Sequence, residues 1–453
     1  MGISSRDNGS EDYRLPISNA GFDPSAPVPI SVPMPVSIPF SPVRTFIIDT
    51  LARGGNTMRI DDIERTAVIG AGEMGRGIAA VGALAGYGVA ICDVDPDQLG
   101  AVREHVEWSY GKSVDRGVIE EGEADAALDR IETTTDLEEA VTDADIVTEA
   151  AVEQQAIKED IFADLDASAP DRAILATNTS GLNITRLAEV TDRPERVLGT
   201  HWFNPPMLMD LVEVIETDYT DRAIAGTGEE LIAELGKTPI RCRHDVPLFI
   251  VNRLMRPYGE AAAWLAYYDE AGIEAIDAAM KYGEGFPMGP FELADFTGGI
   301  QLRVEAEEDH LKDDRPLSYD TEVCPLLHDL YDQGRYGRKA GAGYYDYSEQ
   351  DEPDIPEDAG EGFDTLLVWA PVINEAAKMV QHDVASAEDV DTGARLGGNW
   401  PIGPLAKSDE IGAERVVRKC IATAARHEPI AKVAETLPCE LLLKKAKTDE
   451  TFH

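Results

Sequence analysis

A short apolar run, Ala67-Val68-Ile69, feeds directly into Gly70-Ala71-Gly72-Glu73-Met74-Gly75, and small helix-compatible residues follow from Arg76 to Leu84. A second apolar run, Val89 to Cys92, ends in Asp93. No other stretch limits the fold as tightly. In such a loop the first glycine permits a sharp turn and the second lets backbone approach a pyrophosphate. The third lets helix pack on strand, with the phosphates at the helix N-terminus. A carboxylate at the end of the next strand accepts from both ribose hydroxyls and repels a 2′-phosphate. Strand, loop, helix, strand and acid in this order predict an α/β Rossmann-type domain that binds NAD in preference to NADP. The expected cofactor contacts are Gly70, Gly72, Glu73, Met74, Gly75 and Asp93.

The following strands supply candidate chemistry at their C-terminal ends, which face the nucleotide cleft in a doubly wound sheet. Asp145-Ile146-Val147 leads to Glu149 and Glu153, and a helix from about Gln155 carries Lys158. Glu153 and Lys158 are expected to reach the nicotinamide ribose, against the alternative of a surface ion pair. Ala173 to Ala176 leads into Thr177-Asn178-Thr179-Ser180-Gly181. Those hydroxyl and amide side chains either donate to a ligand oxygen or cap the helix that follows; the residues alone leave both readings open. Asn178 is counted with the cofactor contacts. Residues 97–142 read as charged amphipathic helices, where Lys112 and Arg116 are either solvated surface or contacts to an anionic ligand.

Val197 to His201 and Leu211 to Ile215 are two further strands, joined through Asn204-Pro205-Pro206. The connection is too short for a parallel crossover, so the strands should pair antiparallel. That pairing brings Glu213 beside His201. A carboxylate on one imidazole nitrogen fixes the tautomer and stabilises the cation, leaving the other nitrogen to exchange a proton with a hydroxyl. A last strand is expected at Pro239 to Cys242.

Near residue 245 the composition becomes helical, and the chain repeats itself. GEGFPMGPFELADFTG at 283–298 matches GGNWPIGPLAKSDEIG at 397–412, offset by 114. Glu260-Ala261-Ala262 is matched with Glu375-Ala376-Ala377, and Ile276-Asp277 with Val390-Asp391. The domains are therefore expected at 58–245, 246–349 and 361–453, with an acidic linker at 350–360. Asn252, near the start of a helix expected over Phe249 to Ala266, has a leucine at its counterpart. Residues 1–57, with seven prolines between Pro24 and Pro42, read as a disordered extension, and Met58 as the start of the folded part.

The 453 residues include 85 acidic and 40 basic ones, a net charge of −45 spread along the chain. That excludes nucleic-acid binding through a basic face. It suits molar salt, where the Debye length falls to about 3 Å. Five cysteines without ligand or redox spacing imply reduced thiols, no metal and a cytoplasmic location. No apolar run is long enough to predict a membrane span.

GAGEMGRGIA, Asp93, TEAAVEQQAIK, TNTSGL, HWFNPP, LVEVI, PLFIVNRLM and FPMGPFELAD together resemble the 3-hydroxyacyl-CoA dehydrogenases, over about residues 58–453. The duplicated module resembles the dehydrogenase part of multifunctional fatty-acid oxidation proteins. The resemblance implies two all-α modules like the C-terminal part of 6-phosphogluconate dehydrogenase. It also implies NAD-dependent oxidation of (S)-3-hydroxyacyl-CoA to 3-oxoacyl-CoA. His201 matches the catalytic base and Glu213 its partner. Ser180 and Asn252 match residues at the substrate, and Asp93, Glu153 and Lys158 the NAD ribose contacts. Trp202, Gly181 and Thr177 depart from the commoner Phe, Ser or Thr, and Ser. Lys112 is the candidate cation for CoA. The implied partners are an acyl-CoA, and a second copy of the chain or an enoyl-CoA hydratase; the duplicated module implies a less obligate dimer. The competing readings are a dehydrogenase of a free hydroxy acid and a non-catalytic relative that binds NAD or acyl-CoA.

Overall fold

The computed structural model describes residues 58–309, 314–318, 323–426 and 437–453, so the expected disordered extension, residues 1–57, lies outside the described residues. The first half comprises β1 (Arg65–Ile69), α1 (Glu73–Leu84), β2 (Gly88–Cys92), α2 (Val102–Asp115), β3 (Ile131–Thr134), β4 (Ile146–Glu149) and α3 (Gln155–Ser168). There follow β5 (Ile174–Thr177), α4 (Ile184–Glu189), β6 (Val197–Trp202), β7 (Leu211–Glu216), α5 (Arg222–Glu234) and β8 (Thr238–Cys242). The strands form one eight-stranded sheet in the order β3-β2-β1-β4-β5-β6-β7-β8. Every neighbour pair is parallel except β6 and β7, which run antiparallel.

The central strands β4, β5, β6 and β7 are buried at every residue, as a sheet covered on both faces requires. Strand β3 differs from the sequence expectation, which had residues 97–142 helical. Two of its four residues are exposed, so it has no apolar run to advertise it. Its parallel pairing with Val89 to Cys92 makes it a strand.

The helical part contains α6 (Val251–Tyr267), α7 (Pro290–Thr297), α8 (Leu366–Gln381), α9 (Ala387–Gly397) and α10 (Pro404–Ile411). Its repeat is physical. Asp277 accepts from the N–H groups of Phe291 and Glu292 at the start of α7, both at 2.9 Å. Asp391 does the same for Leu405 and Ala406 at the start of α10, at 2.9 and 2.8 Å. Each carboxylate satisfies donors that a helix start leaves without partners. Gly289 and Gly403 are required there, because a Cβ would lie 2.4 Å from Asp277 Cγ and 2.1 Å from Asp391 Cγ. The offset of 114 also relates Pro257 to Pro371, each inside its helix. Glu260 therefore corresponds to Asn374, and Ala261 to Glu375; matching Glu260 with Glu375 is out by one residue.

The two modules meet through α6 and α8, which pack on each other. Phe286 and Trp400 stand at equivalent positions and touch across this interface, with ring centroids 5.3 Å apart. Tyr258 and Trp369 complete the cluster on Phe286, at 5.0 and 5.2 Å. One apolar core runs from the sheet through both modules. The second module also reaches the sheet: a Cβ at Gly397 would lie 2.8 Å from Leu211 of β7 and 3.0 Å from Val251. Among the described residues no helix is long and apolar enough to cross a membrane.

Candidate active site

The glycine loop closes over the ends of β1, β2 and β4. Gly70 has φ +107, and a Cβ there would lie 2.6 Å from the Ala150 carbonyl oxygen, so glycine is demanded twice over. At Gly75 a Cβ would sit 1.9 Å from the Gly70 oxygen, whereas at Gly72 it would meet nothing within 4 Å. Gly72 thus offers bare backbone to open space at the start of α1, the cradle that a pyrophosphate fits. Asp93 accepts from Ala71 N at 2.7 Å and from Asp95 N at 2.9 Å. Each oxygen keeps a lone pair for a ribose hydroxyl. The side chains of Glu73 and Met74 are used within the protein. Glu73 accepts from Asn204 Nδ2 at 3.1 Å, and Met74 packs against the core beneath α1.

In the β6–β7 register His201 faces Glu213, as the short connection requires. Glu213 is fully buried and His201 nearly so. Nδ1 of His201 hydrogen-bonds the Glu213 carboxylate. The other oxygen of that carboxylate accepts from the N–H groups of Ile250 and Val251, at 3.0 and 2.9 Å. Glu213 therefore joins the histidine to the first turn of α6. Leu248 and Phe249 just before that turn have φ of 67 and 53, a left-handed conformation that costs non-glycine residues about 1–3 kcal/mol. The His201 ring is held between Phe203 and Phe249, with centroids 4.6 and 5.8 Å away. Nε2 is the ring nitrogen that the bond to Glu213 does not use.

Asn252 lies on that same turn, and its Nδ2 donates to the Ser180 carbonyl at 3.3 Å. Ser180 is in turn fastened to Glu153, whose Oε1 accepts from Thr179 Oγ1 at 2.6 Å, Ser180 N at 2.8 Å and Ser180 Oγ at 3.0 Å. The hydroxyl of Ser180 serves neither as a helix cap nor as an open donor here; Asn183 caps α4 by accepting from Arg186 N. Asn178 Oδ1 accepts from Trp202 N at 2.9 Å, which ties the Thr177–Gly181 loop to β6 beside His201.

Lys158, expected with Glu153 at the nicotinamide ribose, is held in a buried ion pair. It is 1% exposed, and its ammonium lies 2.6 Å from Glu149 and 3.4 Å from Glu153. Glu149, not singled out from sequence, is fully buried and also accepts from Ala151 N at 2.7 Å and Thr177 Oγ1 at 2.6 Å. The pair fixes the floor beneath Glu153. The signal available was a carboxylate ending an otherwise apolar strand, since a buried charge needs a partner. Arg315 was also missed. It donates to the carbonyls of Gly181 and Leu182 at 3.0 and 3.1 Å and to Asp245 at 3.0 Å. Lys112 lies exposed on α2 and has no ion pair among the described residues; the structure does not join it to the cluster around His201.

The model of the 3-hydroxyacyl-CoA dehydrogenase NAD-binding domain matches residues 65–246, and that of the family's C-terminal domain matches residues 249–347 and again 362–450. A 3-hydroxybutyryl-CoA dehydrogenase of Bradyrhizobium diazoefficiens is 41% identical over 287 residues, 63% of this chain and 96% of its own. A 3-hydroxyadipyl-CoA dehydrogenase of Escherichia coli is 30% identical and spans both modules, covering 86% of this chain and 99% of its own. A crystal structure of 3-hydroxybutyryl-CoA dehydrogenase from Escherichia coli superposes with a TM-score of 0.73 at 29% identity, over 85% of this chain and 98% of that one.

Proposed function

The chain belongs to the 3-hydroxyacyl-CoA dehydrogenase family, and on that premise we propose that His201 is the base in the NAD-dependent oxidation of an (S)-3-hydroxyacyl-CoA to its 3-oxo product. The observation that carries the reading is the buried His201–Glu213 pair, on a hairpin that Asn204 ties to Glu73 of the glycine loop. When bound, NAD supplies the hydride acceptor. Gly70, Gly72 and Gly75 would hold its pyrophosphate, Asp93 a ribose, and Glu153 and Asn178 the nicotinamide end, with Lys158 acting through Glu153.

Nε2 of His201 takes the hydroxyl proton while Glu213 stabilises the imidazolium that results. The buried carboxylate holds Nδ1 as the donor and so fixes the tautomer. Asn252 and Ser180 would turn their donors from the Ser180 carbonyl and Glu153 to an oxygen on which charge develops. Phe203 and Phe249 exclude water from the imidazole. Lys112, with Arg116 behind it, is our candidate for the CoA phosphates, and a role for the second module in place of a homodimeric partner is part of the same proposal. So are a cytoplasmic location, adaptation to high salt, and the division at 58–245, 246–349 and 361–453.

The test follows NADH formation with (S)-3-hydroxyacyl-CoAs of several lengths, in molar KCl. Wild type should turn over at least one, and His201→Gln should lose about 10²–10⁴-fold in kcat. A folded wild type inactive on every length would refute the reaction, and an equally active His201→Gln would refute the base.

A further inference from the structure

Asn252 is followed by a buried arginine that belongs to none of the roles above. Arg253 is 2% exposed, and its Nε donates to Glu375 of the second module at 2.5 Å. Glu375 is itself 4% exposed and lies 3.5 Å from Lys378. Burial works to raise the Glu375 carboxyl, but Arg253 and Lys378 outweigh it and hold the group below its usual range, as a carboxylate. This is an ion pair between the two modules, deep in the protein.

The same guanidinium reaches in two further directions. Nη1 donates to the Pro247 carbonyl at 3.1 Å, at the foot of the left-handed Leu248–Phe249 turn. Nη2 donates to the Leu317 carbonyl at 2.8 Å. Two residues before Leu317, Arg315 grips the carbonyls of Gly181 and Leu182. The carbonyl of Ser180, one residue earlier, accepts from Asn252. Arg253 therefore braces the first turn of α6, the turn before it, and the segment that clamps the Ser180 loop.

The repeat shows that the interface does not need this pair for packing. At the offset of 114, Arg253 corresponds to Leu367 and Glu375 to Ala261. One half of the pseudo-symmetric interface is thus ionic and the other half has apolar residues at the same two positions. A buried ion pair is seldom better for stability than apolar residues of similar volume. The ionic half is the one whose arginine follows Asn252.

We propose that Glu375 is a positioning residue for the active site: through Arg253 it sets the first turn of α6 and the Ser180 loop, and hence the placement of Asn252 and Ser180 against His201. The inference rests on the roles given above to Asn252, Ser180 and His201. It makes the second module a determinant of turnover that acts through Arg253.

The test uses the full chain with Glu375→Gln, which keeps the shape and removes the charge. Asn374→Ala is the control. Asn374 is the neighbouring buried residue, and it bonds Leu437 and Cys439 within its own module, at 2.9 and 2.8 Å. An Arg253→Met, Glu375→Met double variant removes both charges at once. At saturating substrates Glu375→Gln should lose about ten-fold or more in kcat, since small misplacements of reacting groups are costly, with KM for NAD unchanged. Asn374→Ala should lower Tm and leave kcat as it is. The double variant should regain Tm and remain slow. Amide hydrogen exchange, which needs no turnover, should rise at residues 179–182 and 250–254 in Glu375→Gln and not in Asn374→Ala. Wild-type kcat in Glu375→Gln, or recovery of kcat together with Tm in the double variant, would overturn the proposal. If the wild type itself is inactive the assigned reaction fails, and unchanged exchange in Glu375→Gln would then overturn the positioning role separately.

Discussion

The two helical modules share one frame and differ in what it holds. In both, an aspartate caps a Gly-Pro helix start with paired N–H acceptance, Asp277 for α7 and Asp391 for α10. The third donor differs. Tyr345 donates to Asp277 at 2.8 Å, while the ring of His453 lies 2.9 Å from Asp391. The first turn differs more. The first module presents Asn252 and Arg253 on α6, with two N–H groups of that turn bound to Glu213. The second has leucines at 366 and 367. The contrast separates what the repeat needs in order to fold from what only the first copy carries. The caps are architecture, and the first turn of α6 belongs to the site proposed around His201.

The largest test of that division makes the first module resemble the second. Asn252→Leu should lower kcat by about 10²-fold, the loss expected for one donor to developing charge, with little change in Tm. A fully active Asn252→Leu would erase the distinction between the copies.

Next come the caps. Asp277→Asn and Asp391→Asn should each cost about 1–3 kcal/mol, because each leaves one buried N–H without its acceptor. Urea unfolding measures this, and kcat per folded molecule should stay unchanged for Asp391→Asn. Gly289→Ala and Gly403→Ala force a Cβ into the capping carboxylate and should cost a similar ~1–3 kcal/mol. Equal stability for either alanine variant would mean that the cap is looser than its geometry.

A further effect is one of pH. Burial pushes the Asp277 carboxyl up to about 7, against the lowering effect of its two N–H donors and Tyr345. A carboxyl raised on folding contributes stability that is complete below its unfolded value near 4 and is lost as pH rises through about 7. The margin of wild type over Asp277→Asn should therefore shrink between pH 5 and pH 8, as read by thermal unfolding. A margin that grows with pH would show that the donors outweigh burial.

Much of the site was legible because its signals are local. A glycine loop between strand and helix works only in one geometry, so Gly70, Gly72, Gly75 and Asp93 could be placed by spacing. The His201–Glu213 pairing followed from a connection too short to cross over. Strand β3 escaped because an edge strand with half its residues in water carries no apolar run. The match of Glu260 to Glu375 slipped because alanines on either side fit equally well in two registers. The prolines inside α6 and α8 carry the offset of 114 back through that stretch and separate the two registers.

What the sequence determined by itself was the cofactor fold, the His–Glu pair and the duplication, since each is written in residues a few positions apart or in a repeat. Tertiary structure alone decided that Lys158 is spent on Glu149, that Arg315 clamps the Gly181 loop, and that Glu375 holds Arg253 across the module interface. Those choices join residues far apart in the chain. A buried charge takes whichever partner the fold brings within reach, and burial itself exists only once the modules have closed.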